Sequence, residues 1–310
     1  MTPFFEQNRA SWVRYSKYEW KKTEDGTLYL LPTLDAVPKI YNPMETAQQL
    51  VVDALNIGRM GTRKKPGTEI QKAILDFATK YGLFVLMTAL PTTSKFMDYE
   101  AVYLLKNPFI RAETMDTMDY LALFFPFKKP DLVKRGIQSI WSRQDDKPML
   151  ALMLTMSDQP LAVNMGFQRE YGERYDWLKQ QFIEWAFLFV TSTLYYDAYS
   201  EKDVQPRKLL QQSMAAFDGN APTYHIALLE KPTLIWDFHS LLLGIQLMFS
   251  FMLTEEKTPL RICRHCDKIF VASRPSNQFC SPDCKNRYNV YKSRARKYNT
   301  GKTQKEYKGG

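Results

Sequence analysis

Four cysteines, Cys263, Cys266, Cys280 and Cys284, are all the thiols of a 310-residue chain, and they fall within one stretch, CRHCDKIFVASRPSNQFCSPDC. Their spacing is C-x2-C-x13-C-x3-C. Two close pairs joined by a short excursion let four thiolates converge tetrahedrally on one ion at about 2.3 Å, the geometry of structural Zn(II). A closed set of this kind leaves no coordination position for water, so the expected cofactor is one structural zinc per chain. Disulfides are the alternative, and a reducing compartment disfavours them. The opening MTPFFEQNRASWVRY lacks the charged and then apolar segments of a secretory peptide, so the cytoplasm is the expected compartment.

The residues after the second pair add a second kind of chemistry. Residues 261–310 carry 13 Lys and Arg against 3 acids, whereas the first 260 residues carry 29 against 30. The whole excess of +9 therefore belongs to the cysteine module, a local field suited to a polyanion. Ser281 suits an N-cap, Pro282 the first helical position and Asp283 the positive end of the dipole, so a helix starts here. At 3.6 residues per turn, Cys284, Tyr288, Tyr291 and Ala295 share the face expected to pack over the metal. Lys285, Lys292 and Arg296 line one side, Arg287 and Arg294 the other, and Lys297 follows. These six cations are the candidate nucleic-acid contacts, DNA ahead of RNA. Between the pairs, KIFVAS and NQF bracket a turn at RPS, which predicts a hairpin after the first knuckle, with Phe270 and Phe279 near the metal and Cys280 ending a strand. Knuckle, hairpin and ligand-bearing helix form a treble-clef arrangement.

The elements ahead of this module read as a helical body. Asp25-Gly26 between residues of strand propensity predicts one small β hairpin. NPMETAQQLVVDALNIG predicts a helix capped by Asn42, opened by Pro43 and stopped at Gly58. Ile70, Ile74, Phe77 and Tyr81 recur at helical spacing in the next segment. Further helices are expected over 112–125, 131–143, 175–199 and 206–217, a strand over 223–229, a turn at Lys231-Pro232, and a helix apolar on nearly every face over 234–253. Its apolar run, 241–253, is well short of the roughly 20 residues that span a bilayer, so no membrane contact is expected. The resulting expectation is a mainly α chain: a multi-helix body with a small β element over 1–258, a four-cysteine treble-clef finger over 259–298 and a flexible basic tail over 299–310.

FCSPDCKNR followed by a basic helix resembles the bacterial CGNR zinc fingers, in which the fourth ligand opens a Cys-Gly-Asn-Arg motif after a helical N-terminal domain. Cys284, Asn286 and Arg287 match that motif, Lys285 stands in place of its Gly, and the first knuckle is shorter than is usual there. The chain is also similar to proteins of Gram-positive bacteria that share a YGL helical body, FHSLLL and a finger ending YNVYKSRA. The first resemblance implies transcription regulation; the second implies an architecture and no activity.

Catalytic constellations are sparse. The three histidines are His225 in a predicted strand, His239 on the apolar helix and His265 inside the first knuckle, and neither G-x-x-x-x-G-K-[ST] nor G-x-G-x-x-G occurs. The reading that follows is a zinc-dependent DNA-binding regulator whose body senses a small molecule or a protein. Its rivals are a finger that binds an acidic protein, a finger that binds structured RNA, and an enzyme with its site in the body.

Overall fold

The computed structural model describes residues 8–85, 101–103, 114–116, 172–199, 223–238, 240–254, 260–274 and 276–306. The strands are β1 (Arg9–Ala10), β2 (Trp12–Tyr15), β3 (Tyr18–Lys22), β4 (Leu28–Pro32), β5 (Pro38–Tyr41), β6 (Ala101–Tyr103), β7 (Thr114–Asp116), β8 (Glu173–Arg174), β9 (Thr223–Leu228), β10 (Pro232–Asp237), β11 (Leu260–Ile262) and β12 (Ile269–Val271). The α-helices are α1 (Ala47–Thr62), α2 (Gly67–Tyr81), α3 (Tyr175–Tyr199), α4 (Leu241–Thr254) and α5 (Pro282–Glu306). Two compact units divide the chain, Met1–Phe251 and Met252–Gly310. Among the described residues no helix is long and apolar enough to cross a membrane.

The body is mixed α and β, which corrects the expectation of a mainly helical one. Its sheets are small: β1-β10-β9, β2-β5, β3-β4-β8 and β6-β7. Several of these strands are too short to display alternation in the sequence, and several partners lie far apart in the chain. β1 runs parallel to β10, aligning Arg9 with Ile235 and Ala10 with Trp236. Two further expectations change with it. Residues 234–237 belong to β10, and the helix starts only at Leu241, where the Ser240 hydroxyl accepts the Leu243 N–H at 3.2 Å. An uninterrupted apolar run has no period by which strand and helix could be told apart. Within 112–125, Thr114–Asp116 is a strand paired antiparallel with β6. The helices expected over 131–143 and 206–217, and His239, lie outside the described residues.

Local signals elsewhere are realised. The Asp25 carboxylate accepts from the Thr23 hydroxyl and from the Thr27 N–H and hydroxyl, closing the β3-β4 turn, and these bonds hold its pKa below the usual value. Asn42 Oδ1 accepts from Met44 N at 3.2 Å and from Ala10 N at 3.0 Å, so one cap starts a 3-10 turn (Pro43–Thr46) and ties it to β1. Helix α3 has the bounds expected of it, Tyr175–Tyr199.

Helix α1 does not stop at Gly58. It continues to Thr62 and closes with Lys64 in the left-handed region (φ 53°), its N–H donating to the Gly61 carbonyl at 3.0 Å. Gly58 instead lets α3 approach: a Cβ there would lie 2.1 Å from the Phe182 carbonyl oxygen and 2.2 Å from the Ala186 Cβ. At the end of α2, Gly82 (φ +97°) turns the chain beneath Trp12, and a Cβ would sit 2.6 Å from the Val13 carbonyl oxygen. That turn delivers Phe84, which stacks on Phe182 at 3.8 Å, while Phe77 meets both rings edge-on. Glu173, fully buried, accepts from the N–H groups of Phe84 at 3.0 Å and Val85 at 2.6 Å. A buried carboxylate thus satisfies two main-chain donors left without a strand partner.

Candidate metal centre

Strands β11 and β12 pair antiparallel, Leu260 with Val271 and Ile262 with Ile269, and the first cysteine pair occupies the loop between them. The Cys263 N–H donates to the Lys268 carbonyl and the Asp267 N–H to the Cys263 carbonyl, each at 2.9 Å. Asp267 takes φ 60°, a left-handed turn after which Lys268 returns to accept from the Cys263 N–H. The hairpin therefore encloses the first knuckle; it was expected after it. Residues 276–279 form no strand, and Arg264 N to Gln278 O, at 3.0 Å, ties that segment to the knuckle.

Cys280 comes just ahead of α5, and Cys284 sits in its first turn. Ser281 caps this helix as its type and place predict: its hydroxyl accepts from Cys284 N and its carbonyl from Lys285 N, both at 3.2 Å. Cys284 is thus carried on a capped first turn.

The four sulfurs lie within 4.8 Å of one another, with Cys266 to Cys280 and Cys280 to Cys284 both at 3.5 Å. A tetrahedron of thiolates with ~2.3 Å arms has edges of ~3.8 Å, whereas a disulfide needs about 2.05 Å. All four are free thiols, and Cys263 is fully buried. The spacing fits a shared ion: this cluster could hold a metal. Its electrostatics agree. Burial pushes the Cys263 thiol up, but the N–H groups of Cys266, Cys280 and His265 outweigh burial and hold it at about 6. Desolvation raises Cys266, and desolvation together with the neighbouring thiols raises Cys280. The protons that remain are those a metal ion displaces.

Around the cluster, the aromatic residues divide in a way helix periodicity did not show. Tyr288 packs on Phe279 at 5.2 Å, but Tyr291 is 60% exposed and stacks on His265 with ring centroids 5.7 Å apart and planes 19° from parallel. Tyr291 is therefore beside the metal face and only partly under cover. Lys285, Arg287, Lys292 and Arg294 are exposed, and among the described residues none has a carboxylate partner. The side chains of Ala295, Arg296 and Lys297 lie outside the described residues. Helix α5 continues to Glu306, through residues 299–306 of the segment expected to be a flexible tail. Arg264 and Lys268 are two exposed cations that the sequence reading left out. For Arg264 the signal was available: a residue between the two cysteines of a knuckle points away from their shared site, so a basic residue there faces solvent.

Comparison with family models, with curated proteins and with solved structures finds no match to the chain.

Proposed function

We propose that residues 260–298 form a structural Zn(II) module that binds DNA, and that the protein is a transcription regulator whose body senses a ligand or partner. Zinc is the ion this donor set favours, because four sulfur ligands in tetrahedral array suit it and close the site to water. The observation that carries DNA binding is the surface of α5: Lys285 and Lys292 on one side, and Arg287 and Arg294 on the other, are exposed, lack carboxylate partners among the described residues, and stand on the helix whose first turn carries Cys284. A cation without an ion pair is free to neutralise a phosphate, and each phosphate neutralised releases a counterion. Arg264 and Lys268 extend the same positive field onto the knuckle. The match of Cys284, Asn286 and Arg287 to the CGNR motif supports the same reading.

The test is one salt-dependent binding assay with DNA, structured RNA and an acidic protein as competing targets. DNA should bind most tightly, and replacing Arg287, Lys292 and Arg294 together by Ala should flatten the dependence of log affinity on log salt by roughly 0.9 per residue on a B-form duplex. An unchanged slope with the metal still bound would rule out this helix as the contact. Tighter binding of the acidic protein would replace DNA with a protein partner.

A further inference from the structure

Tyr291 has no role in the proposed phosphate grip, yet it is the most exposed of the large apolar or aromatic side chains described in the module, at 60%, followed by Val290 at 49%. One face of its ring is backed by His265, nearly parallel at 19°. With that face covered and the residue still mostly exposed, the opposite face is turned to solvent. On the helix, Arg287 is one turn before Tyr291 and Arg294 one turn after, so an open aromatic face lies between two guanidinium groups. Both arginines are exposed and lack carboxylate partners among the described residues.

We infer that Tyr291, backed by His265, is a stacking platform for an unpaired nucleobase, and that the module prefers single-stranded over duplex DNA. The inference rests on the DNA reading above and narrows its substrate. In a duplex the π-faces of the bases are already stacked on each other, and a tyrosine reaches one only by forcing a base step apart. In a single strand every base has an available face, and a positively charged surface carrying aromatic rings binds it without sequence reading. The pattern of α5 matches that second case: Arg287 and Arg294 are placed for the phosphates on either side of a base seated on Tyr291. His265 is a positioning residue, fixing the ring plane from the knuckle side.

The experiment uses the full-length metal-loaded protein with an oligothymidine strand carrying one 2-aminopurine, and with a duplex of the same length. The wild type should bind the single strand more tightly and quench the 2-aminopurine. Tyr291→Leu should weaken single-strand binding about tenfold, abolish the quench and leave duplex binding nearly unchanged. Tyr291→Phe should retain wild-type behaviour, because the ring and not the hydroxyl is the platform. Metal content measured on each variant shows that the module is intact; if Tyr291→Leu loses the ion, Tyr291→Phe and the wild-type strand preference decide the matter. Equal weakening on both DNA forms, or none, with the metal retained overturns the platform while leaving DNA binding in place. A wild-type protein that binds neither form overturns both.

Discussion

The two units of this chain are held together by different physics. In the body, Phe77, Phe84 and Phe182 pack ring on ring, and Trp12, Tyr15, Leu30 and Leu50 are buried as well. In the module, the buried apolar side chains described from residue 260 onward are only Leu260, Ile269 and Ala272, beside the buried Cys263. Three small or medium side chains remove too little surface from water to offset the ordering of some forty residues. Among the described residues, the cysteine cluster is the feature that could supply further stabilisation, if it holds a metal. The body carries its own apolar core, whereas the proposed metal would couple the folding of the module to its binding.

The largest effect that would sharpen this contrast is loss of the metal. Chelation, or Cys263→Ser, should unfold residues 260–298 while the body persists, since structural zinc contributes on the order of 10 kcal/mol to such modules. Hydrogen exchange should show protection lost over β11, β12 and α5 and retained over α1, α2 and α3; a body that unfolds with the module would break the comparison.

Next in size is an insult to the body alone. Glu173→Ala would leave the N–H groups of Phe84 and Val85 without their acceptor, at a cost of about 3 kcal/mol, and the body's melting temperature should fall while metal content is unchanged. Gly58→Ala should act in the same direction by about 1–3 kcal/mol, because the added Cβ forces α1 away from Phe182 and Ala186. Thermal unfolding of either variant at the wild-type temperature would mean that the contact is not tight.

The smallest effect is electrostatic. Lys292→Ala should leave both units folded and reduce the salt slope of DNA binding by roughly 0.9. A truncated chain of residues 1–258 should stay folded and bind no DNA, because the first 260 residues carry 29 cations against 30 acids. Full affinity in the truncated protein would move the binding surface into the body.

Much of the metal centre was legible because its signals are short-range. C-x2-C and C-x3-C specify which sulfurs can meet, and Ser281 and Pro282 specify where the helix begins, as the Ser281 bonds to Cys284 and Lys285 show. What could not be read was the placement of the hairpin. The strand Ile269–Val271 had two candidate partners, the residues before the knuckle and those after it, and propensity does not choose between them. Tyr291 was misjudged for a related reason. Helix periodicity puts it seven residues from Cys284 and within roughly 20° of the same face, and only the positions of His265 and Phe279 decide that Tyr288 is covered and Tyr291 left open.

The same division runs through the body. By itself the sequence determined the features whose causes lie within a few residues: the Asp25 turn, the Asn42 cap followed by Pro43, the extent of α3, and the segregation of positive charge at the C-terminal end. The tertiary structure decided whatever depends on a distant partner. Gly58 resembles a helix stop until Phe182 is found packed on it. Residues 234–237 read as helix until β9 pairs on one side and β1 on the other, with the Trp236 Nε1–H donating at 2.9 Å to Asn8 Oδ1 from 228 residues away. Nothing in the local sequence marks Glu173 as buried; its role comes from the N–H groups of Phe84 and Val85, nearly ninety residues away. Caps, turns and metal-ligand spacings are encoded where they act, whereas strand partners and glycine contacts are chosen by chain segments that local sequence does not contain.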